Sequence, residues 1–423
     1  MRVVQLSKAD RGGGASIAAF RLHGGLRAEG IESFMLVNNK YTSDSHVVCP
    51  SSRMARTWAS VAPFLDALPL RLLVRGRGRE KLSLNWIPDN IRSRLATLKP
   101  DVVNIHWVND GFMRIETFPR LEYPVVWTLH DMWAFCGAQH YVGDDQQYLT
   151  GYNTVRTSRH VRWDANRWVW NRKRRAWSKL KRFVVVTPSV WLGDCVRASN
   201  LMGHLTVKVI PNGVDHHIFK PLDRKFARDV LGLPQDRKLV LFGAGGVADD
   251  PRKGFAYLVT ALKSLASESK NNQNNIDLVI FGSPNRNIGL EGIFKTHFLG
   301  KLRDEISLAL AYSAADVFVA PSQQDNLPNT VLESLACGTP VVAFNIGGMP
   351  DMIVHEECGY LATPFDTNDL AKGVQHILGL SGNSSSIRLR DAARTRVTEN
   401  FTLPIQAQNY VNLYQRLVDG SIV

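Results

Sequence analysis

Short runs of β-branched and aliphatic residues recur along this chain with no alternation of polar and apolar positions. In the first half they are Val3–Leu6, Ser33–Val37, Val102–His106, Val125–Thr128, Phe183–Val186 and Val207–Ile210. In the second half they are Lys238–Phe242, Asp277–Phe281, Val317–Ala320 and Pro340–Phe344. A strand with one wet face alternates; a strand covered on both faces of a parallel sheet does not. Segments of helical periodicity lie between the runs, among them Ala15–Glu29, Phe255–Ser267, Ile306–Ala314 and Asn329–Cys337. Strand–helix alternation carried through twice predicts an α/β chain of two doubly wound domains. The 423 residues agree, because a single core stops growing at about 250–300 residues.

The turn residues Pro211-Asn212-Gly213 mark the expected seam. Residues 1–210 are then the first domain and 211–402 the second. The last helix, about Gln406–Val418, is expected to return to the first domain, so that residues 403–423 count with it. Hydrophobic residues at 44% and charged residues at 21% exclude a disordered or collagen-like chain. No run of about 18 apolar residues or signal-like leader is visible, and no bilayer span is expected. Five scattered cysteines without a CxxC pair argue against a disulfide framework or a structural zinc. A cytoplasmic location follows as the expectation.

Three loops carry the chemistry. The first strand leads into Gly12-Gly13-Gly14, and a helical pattern starts at Ala15. Glycines between a strand and a helix let a phosphate approach backbone amides at the helix N-terminus, although a tight turn uses the same residues. The spacing is neither GxGxxG nor a P-loop. A second loop, Gly243-Ala244-Gly245-Gly246, is followed by Asp249-Asp250-Pro251-Arg252-Lys253-Gly254. Cations are disfavoured at a helix start, and an anionic ligand beside Arg252 and Lys253 would resolve the conflict. The third is Pro321-Ser322-Gln323-Gln324-Asp325-Asn326-Leu327-Pro328-Asn329, with Glu333 one turn inside the next helix. Asp325 and Glu333 suit sugar or ribose hydroxyls, and the amides of Asn326 to Asn329 suit a diphosphate. An N-cap and a solvated Glu are the plainer alternative. His130 and His106 each end a buried-looking strand, where ligands bind in open α/β sheets.

These pieces, in this order, resemble the retaining glycosyltransferases of family 4, which have the GT-B fold of two Rossmann-like domains facing a cleft. The resemblance is to the branch that builds capsules, exopolysaccharides and colanic-acid-like polymers. It is strongest over Thr128–Trp133, Pro188–Trp191, Ile210–Pro221 and Phe298–Pro364. The family's E-x7-E pair appears as Asp325-x7-Glu333, with the first acid one methylene shorter. The resemblance implies that Glu333 meets the ribose and Asp325 the donor sugar hydroxyls. It implies that the backbone of Asn326 and Leu327, with Asn329, meets sugar and phosphate. Lys253 falls on the donor-phosphate lysine, His130 on the histidine near the reacting sugar, and Gly12–Gly14 and Gly243 on glycine loops beside the donor. An arginine that many relatives carry about six residues before that lysine is Val247 here, and Arg252 is the expected substitute. The Cys-rich insert of some relatives is absent from Ala138–Tyr152, so no metal is expected. A UDP- or GDP-sugar is then the donor, with no cofactor, and a saccharide, lipid-linked, is the acceptor. A catalytically idle nucleotide-sugar binder or scaffold is the alternative.

The formal net charge is +13, and much of it lies between Arg156 and Arg182, where eleven Lys or Arg face one acid, Asp164. Trp163, Trp170 and Trp177 recur every seven residues there, one face of a helix. Either that stripe packs on the first domain, or the segment is a basic amphipathic surface for anionic lipid. A second basic patch, Arg71–Lys81, follows the apolar Trp58–Leu73. No nucleic-acid module is visible, so no nucleic-acid partner is expected.

Overall fold

The computed structural model describes residues 1–73, 81–143, 145–153, 163–243, 250–268, 275–282, 289–290 and 292–422. Val247, Gly245, Gly246, Asp144, Asp249, Arg156 to Arg162 and most of the Arg71–Lys81 patch lie outside them. The chain divides into two compact units, Met1–Pro211 with Pro404–Val423, and Asn212–Leu403.

The first unit holds a seven-stranded sheet of β1 (Arg2–Leu6), β2 (Glu32–Leu36), β3 (Val47–Val48), β4 (Val102–Ile105), β5 (Val125–Thr128), β6 (Phe183–Thr187) and β7 (Thr206–Val209). Its order is β3-β2-β1-β4-β5-β6-β7, all pairs parallel. The second unit has β8 (Lys238–Gly243), β9 (Ile276–Phe281), β10 (Lys295–Gly300), β11 (Val317–Ala320), β12 (Val341–Phe344) and β13 (Gly359–Ala362). These run in the order β10-β9-β8-β11-β12-β13, again all parallel. The two expected doubly wound sheets are thus present. In each, the chain winds outward from a central strand to one edge and then restarts on the other side. The carboxyl ends of β1 and β4, and of β8 and β11, are therefore switch points, where loops part and leave room for a ligand.

The unalternating runs are buried on both faces, as in β4, β5 and β6, where every residue is buried. Strand limits differ from the sequence reading by about a residue. Three strands have no such run to announce them. β3 has two residues, β13 opens on a glycine, and β10 (Lys-Thr-His-Phe-Leu-Gly) is a half-exposed edge strand. The helix Leu403–Val418 packs on the first unit, with Ala407, Leu413 and Leu417 among Val3, Val102, Val126 and Val184.

The tryptophan stripe takes its plainer form. The helix spans Ala165–Trp177, capped by Asp164, so Trp163 precedes it and packs on Trp168. Trp170 and Trp177 are buried, and the Trp177 indole donates to the Ala134 carbonyl at 2.9 Å. The charges are not all turned to solvent either. Lys173 is fully buried, and Arg172 donates to Glu116 and to the carbonyls of Leu84 and Asn85. In the described part of Arg156–Arg182 the tryptophan stripe and Lys173 thus pack inward, while Arg174, Arg175, Lys179, Lys181 and Arg182 remain exposed. Among the described residues no helix is long and apolar enough to cross a membrane.

Candidate functional site

At the β8/β11 switch point the chain turns through Pro251–Lys253, a single 3-10 turn capped by the Asp250 carboxylate. Gly254 follows with φ of +72°. A Cβ there would lie 1.7 Å from the Pro321 carbonyl oxygen, so only glycine allows the two loops to meet. Gln323 N–H donates to the Arg252 carbonyl at 2.7 Å, and the Gln323 amide to that of Pro251 at 3.0 Å. This staple carries Lys253 Nζ to 2.6 Å from Asp325 Oδ2, with Arg252 Nη1 at 3.5 Å from the same oxygen. Ser322 Oγ donates to it as well, at 3.2 Å. The expected conflict at Arg252 and Lys253 is therefore answered from within: the anion beside them is Asp325. Burial alone pushes the Asp325 carboxyl up, but Lys253 and then Arg252 outweigh it and hold the group below its ordinary range.

Asp325 is not the cap of the following helix. The helix is Asn329–Ala336 with Pro328 at its cap position. Glu333 is not solvated, being 4% exposed, and accepts from the Tyr312 hydroxyl at 3.0 Å. Leu327, Leu332 and Leu335 are core residues that fix the loop and helix. Asn212 Nδ2 donates to Asn329 Oδ1 at 3.4 Å, which ties the Pro-Asn-Gly turn to the helix start. A pocket lined by Gly243, Lys253, Ser322, Pro328 and Thr330 opens here. Gly243 has a packing reason to be glycine, since a Cβ on it would lie 2.2 Å from the Phe281 ring.

At the β1/β4 switch point of the first unit, Gly13 caps the helix Gly14–Ala28, and Gly12 has φ of +105°. Nothing stands within 4 Å of where a Cβ would be on Gly12 or Gly13, so the loop is open to an approaching group. Beyond β5, His130 Nε2 lies 3.0 Å from His106 Nδ1, and His106 Nε2 lies 2.7 Å from Gln5 Oε1. With Gln5 accepting from Nε2–H, the bare Nδ1 of His106 accepts from His130. Burial lowers both imidazoles, His130 to about 4, so both are neutral at pH 7. Next to them Asp131 Oδ2 lies 2.6 Å from His140 Nδ1, and His140 Nε2 lies 2.8 Å from Ser83 Oγ. Trp107, Asn109, His130, Asp131 and Trp133 line a small pocket there.

Two protein families describe this chain. Residues 12–217 match "Glycosyltransferase Family 4", and residues 237–379 match "Glycosyl transferases group 1". Each unit therefore carries a region that matches a glycosyltransferase family. Curated relatives include D-inositol 3-phosphate glycosyltransferase 2 of Catenulispora acidiphila, 29% identical over 186 residues, 41% of this chain and 42% of the relative. The D-inositol 3-phosphate glycosyltransferase of Mycobacterium tuberculosis is 29% identical over 208 residues, 45% of this chain and 40% of the relative. The matched region thus spans about two fifths of these relatives' length. Solved structures of similar fold include sucrose-phosphate synthase from Thermosynechococcus elongatus (21% identity, 99% of each chain, TM-score 0.68). Another is Anabaena HepE in complex with UDP-glucose (16% identity, 98% of this chain and 99% of that one, TM-score 0.61).

In the group 1 region, Lys253, Arg252, Asp325, Asn326 and Leu327 come together as one loop cluster, with Asn329 and Glu333 on the helix it leads into. In the family 4 region, Gly12–Gly14 follows β1 and His130 follows β5, both at the sheet's carboxyl edge with β4 between them. Tyr312, Ser322 and Gln5 were missed. Ser322 stands three residues before Asp325, a side-chain turn pattern that is visible in sequence. Gln5 and Tyr312 lie in segments that read as plain strand and helix.

Proposed function

We propose that the chain transfers a sugar from a nucleoside-diphosphate sugar, UDP- or GDP-linked, to a saccharide acceptor. The acceptor is lipid-linked and the product belongs to a cell-surface polysaccharide. The observation that carries the reading is the Lys253–Asp325 pair, 2.6 Å apart, beside the amides that lead into the helix Asn329–Ala336. As the glycosidic bond breaks, the departing diphosphate gains negative charge. Lys253, Arg252 and the amides of Asn326 and Leu327 offset it. Asp325 holds the two cations and accepts from donor sugar hydroxyls, while Glu333 accepts from the ribose. The neutral His130 imidazole exchanges a hydrogen bond with the reacting sugar, and the open Gly12–Gly14 loop receives phosphate or acceptor. Configuration is retained by same-face attack within a short-lived ion pair. No carboxylate nucleophile is required, which agrees with an Asp325 oxygen already engaged by Lys253 and Ser322. A metal is not part of this chemistry, since the cations are the protein's own.

The names of the curated relatives favour a second acceptor, a phosphorylated cyclitol. Thermal shift and calorimetry against UDP, GDP, dTDP, ADP and their sugar conjugates test the donor half, because a ligand of the native state raises the melting temperature. NMR of the product from a lipid-linked saccharide or from an inositol phosphate reads the acceptor and the anomeric outcome. Nucleotide binding without turnover on any acceptor would favour an idle binder. No binding at all would overturn the proposal.

A further inference from the structure

The helix Arg53–Leu73 is anchored on one side and bare on the other. Ala59, Ala62, Asp66 and Leu70 are its buried residues. The Asp66 carboxylate accepts from the backbone N–H groups of Asn85 (3.2 Å) and Trp86 (3.1 Å). Gly111 comes so near that a Cβ on it would lie 2.7 Å from the Ala62 carbonyl oxygen. The other side exposes large apolar side chains: Met54 at 85%, Trp58 at 42%, Phe64 at 51% and Leu72 at 72%. Met54, Trp58, Val61, Leu65, Leu68 and Leu72 fall within one stripe about 80° wide at 3.6 residues per turn. Arg53 and Arg71 flank it on one side, both exposed, and the Arg71 guanidinium sits 4.7 Å over the Phe64 ring. The one acid of the helix, Asp66, is on the anchored side.

We propose that this helix lies flat in an anionic lipid surface, its stripe in the acyl boundary and its arginines among the headgroup phosphates. An apolar stripe with a cationic border is what an interfacial helix needs, and each arginine adds attraction to anionic lipid. A second copy of the chain fits less well, because a two-fold contact through the stripe would bring the arginine border near its own image. The surface differs from the Arg156–Arg182 segment expected from sequence, whose helix spends Lys173 and Arg172 on packing. A helix seated in lipid would place the enzyme beside a lipid-linked acceptor, so the benefit rests on the proposed function; the binding itself does not.

Co-sedimentation of the full chain with phosphatidylglycerol–phosphatidylcholine vesicles tests this, with pure phosphatidylcholine vesicles as the contrast. Wild type is expected to bind the anionic vesicles. The combined substitutions Met54→Ser, Trp58→Ser and Leu72→Ser should weaken binding about tenfold or more. Arg53→Glu with Arg71→Glu should do the same and leave only binding that ignores lipid charge. Each variant keeps the wild-type melting temperature and nucleotide binding, which separates failure here from failure of the transfer reading. Wild type that ignores anionic vesicles, or a stripe variant that binds as well, overturns the proposal. So does a wild-type dimer that the stripe variant turns to monomer while vesicle binding is unchanged.

Discussion

The Tyr312 hydroxyl donates to Glu333 Oε2 at 3.0 Å, and both side chains are buried. Rings of Phe219, Phe281 and Phe318 surround the phenol and fix its direction. Tyr312 thus sets the orientation of the acid proposed to hold the ribose. Tyr312→Phe keeps the packing and removes one donor from a buried carboxylate, at a cost of about 1–3 kcal/mol. Nucleotide affinity by calorimetry should fall about tenfold, as about 1.4 kcal/mol does. Glu333→Ala should abolish it. Unchanged affinity in both variants would remove Glu333 from the site.

Lys253→Met separates structural from binding roles. It removes the closest cation from a buried Asp325 and leaves Arg252, at 3.5 Å, as its remaining cation, at a cost of about 1–3 kcal/mol. Urea unfolding should shift accordingly. Lys253→Met with Asp325→Asn should recover most of that stability and yet fail to bind a nucleotide sugar. Binding that recovers together with stability would mean the lysine never met the phosphate.

The sheets were legible because burial on both faces leaves a direct mark on composition. The runs of β4, β5 and β6 are mostly apolar, and the buried polar residues within them find partners, Asn104 in the Tyr414 hydroxyl and Thr128 in the Tyr410 hydroxyl. β10 was not legible, since an edge strand can carry Lys295, Thr296 and His297. At the site, the order of loops and the seven-residue interval from Asp325 to Glu333 were visible. Their electrostatics were not. Sequence shows cations at 252 and 253 and an acid at 325, but not that a glycine-tight contact with Pro321 brings them together. Charge counting misled most at Lys173, where a lysine read as surface is a core residue.

Acid should destabilise the fold before carboxylates titrate. Burial lowers His23 and His130 to about 4 and lowers His106 as well, while the unfolded chain takes up these protons near 6.5. Between those values the unfolded state binds more protons, so stability falls as pH drops from about 6.5 toward 4. The slope is about 1.4 kcal/mol per pH unit for each proton. Denaturant midpoints at pH 7.5 and 5 measure it. His106→Gln should flatten the slope by about one proton; an equal slope would show that His106 is not held neutral.

Lys173 donates to the carbonyls of Trp133, Cys136 (3.1 Å) and Gly137 (2.7 Å), and its ammonium sits 3.7 Å from the Trp133 ring centre. These carbonyls belong to the loop that begins at His130. Lys173→Met strands all three in a dry core, with a stability loss of about 3 kcal/mol or more. Proteolysis should then cut first within residues 130–140. A variant as stable as wild type would mean that the loop finds other donors.

Gly254→Ala tests whether the second unit's site depends on one close approach. The φ of +72° and the 1.7 Å separation between a Cβ and the Pro321 oxygen leave no room for a methyl group. The backbone must shift, and the Pro251–Lys253 turn moves with it, away from Ser322 and Asp325. Stability should fall by about 1–3 kcal/mol, and nucleotide affinity should fall more than in Gly243→Ala, whose clash is with the Phe281 ring rather than with the lysine-bearing turn. If Gly243→Ala costs as much binding as Gly254→Ala, the phosphate lies nearer the end of β8 than to Lys253.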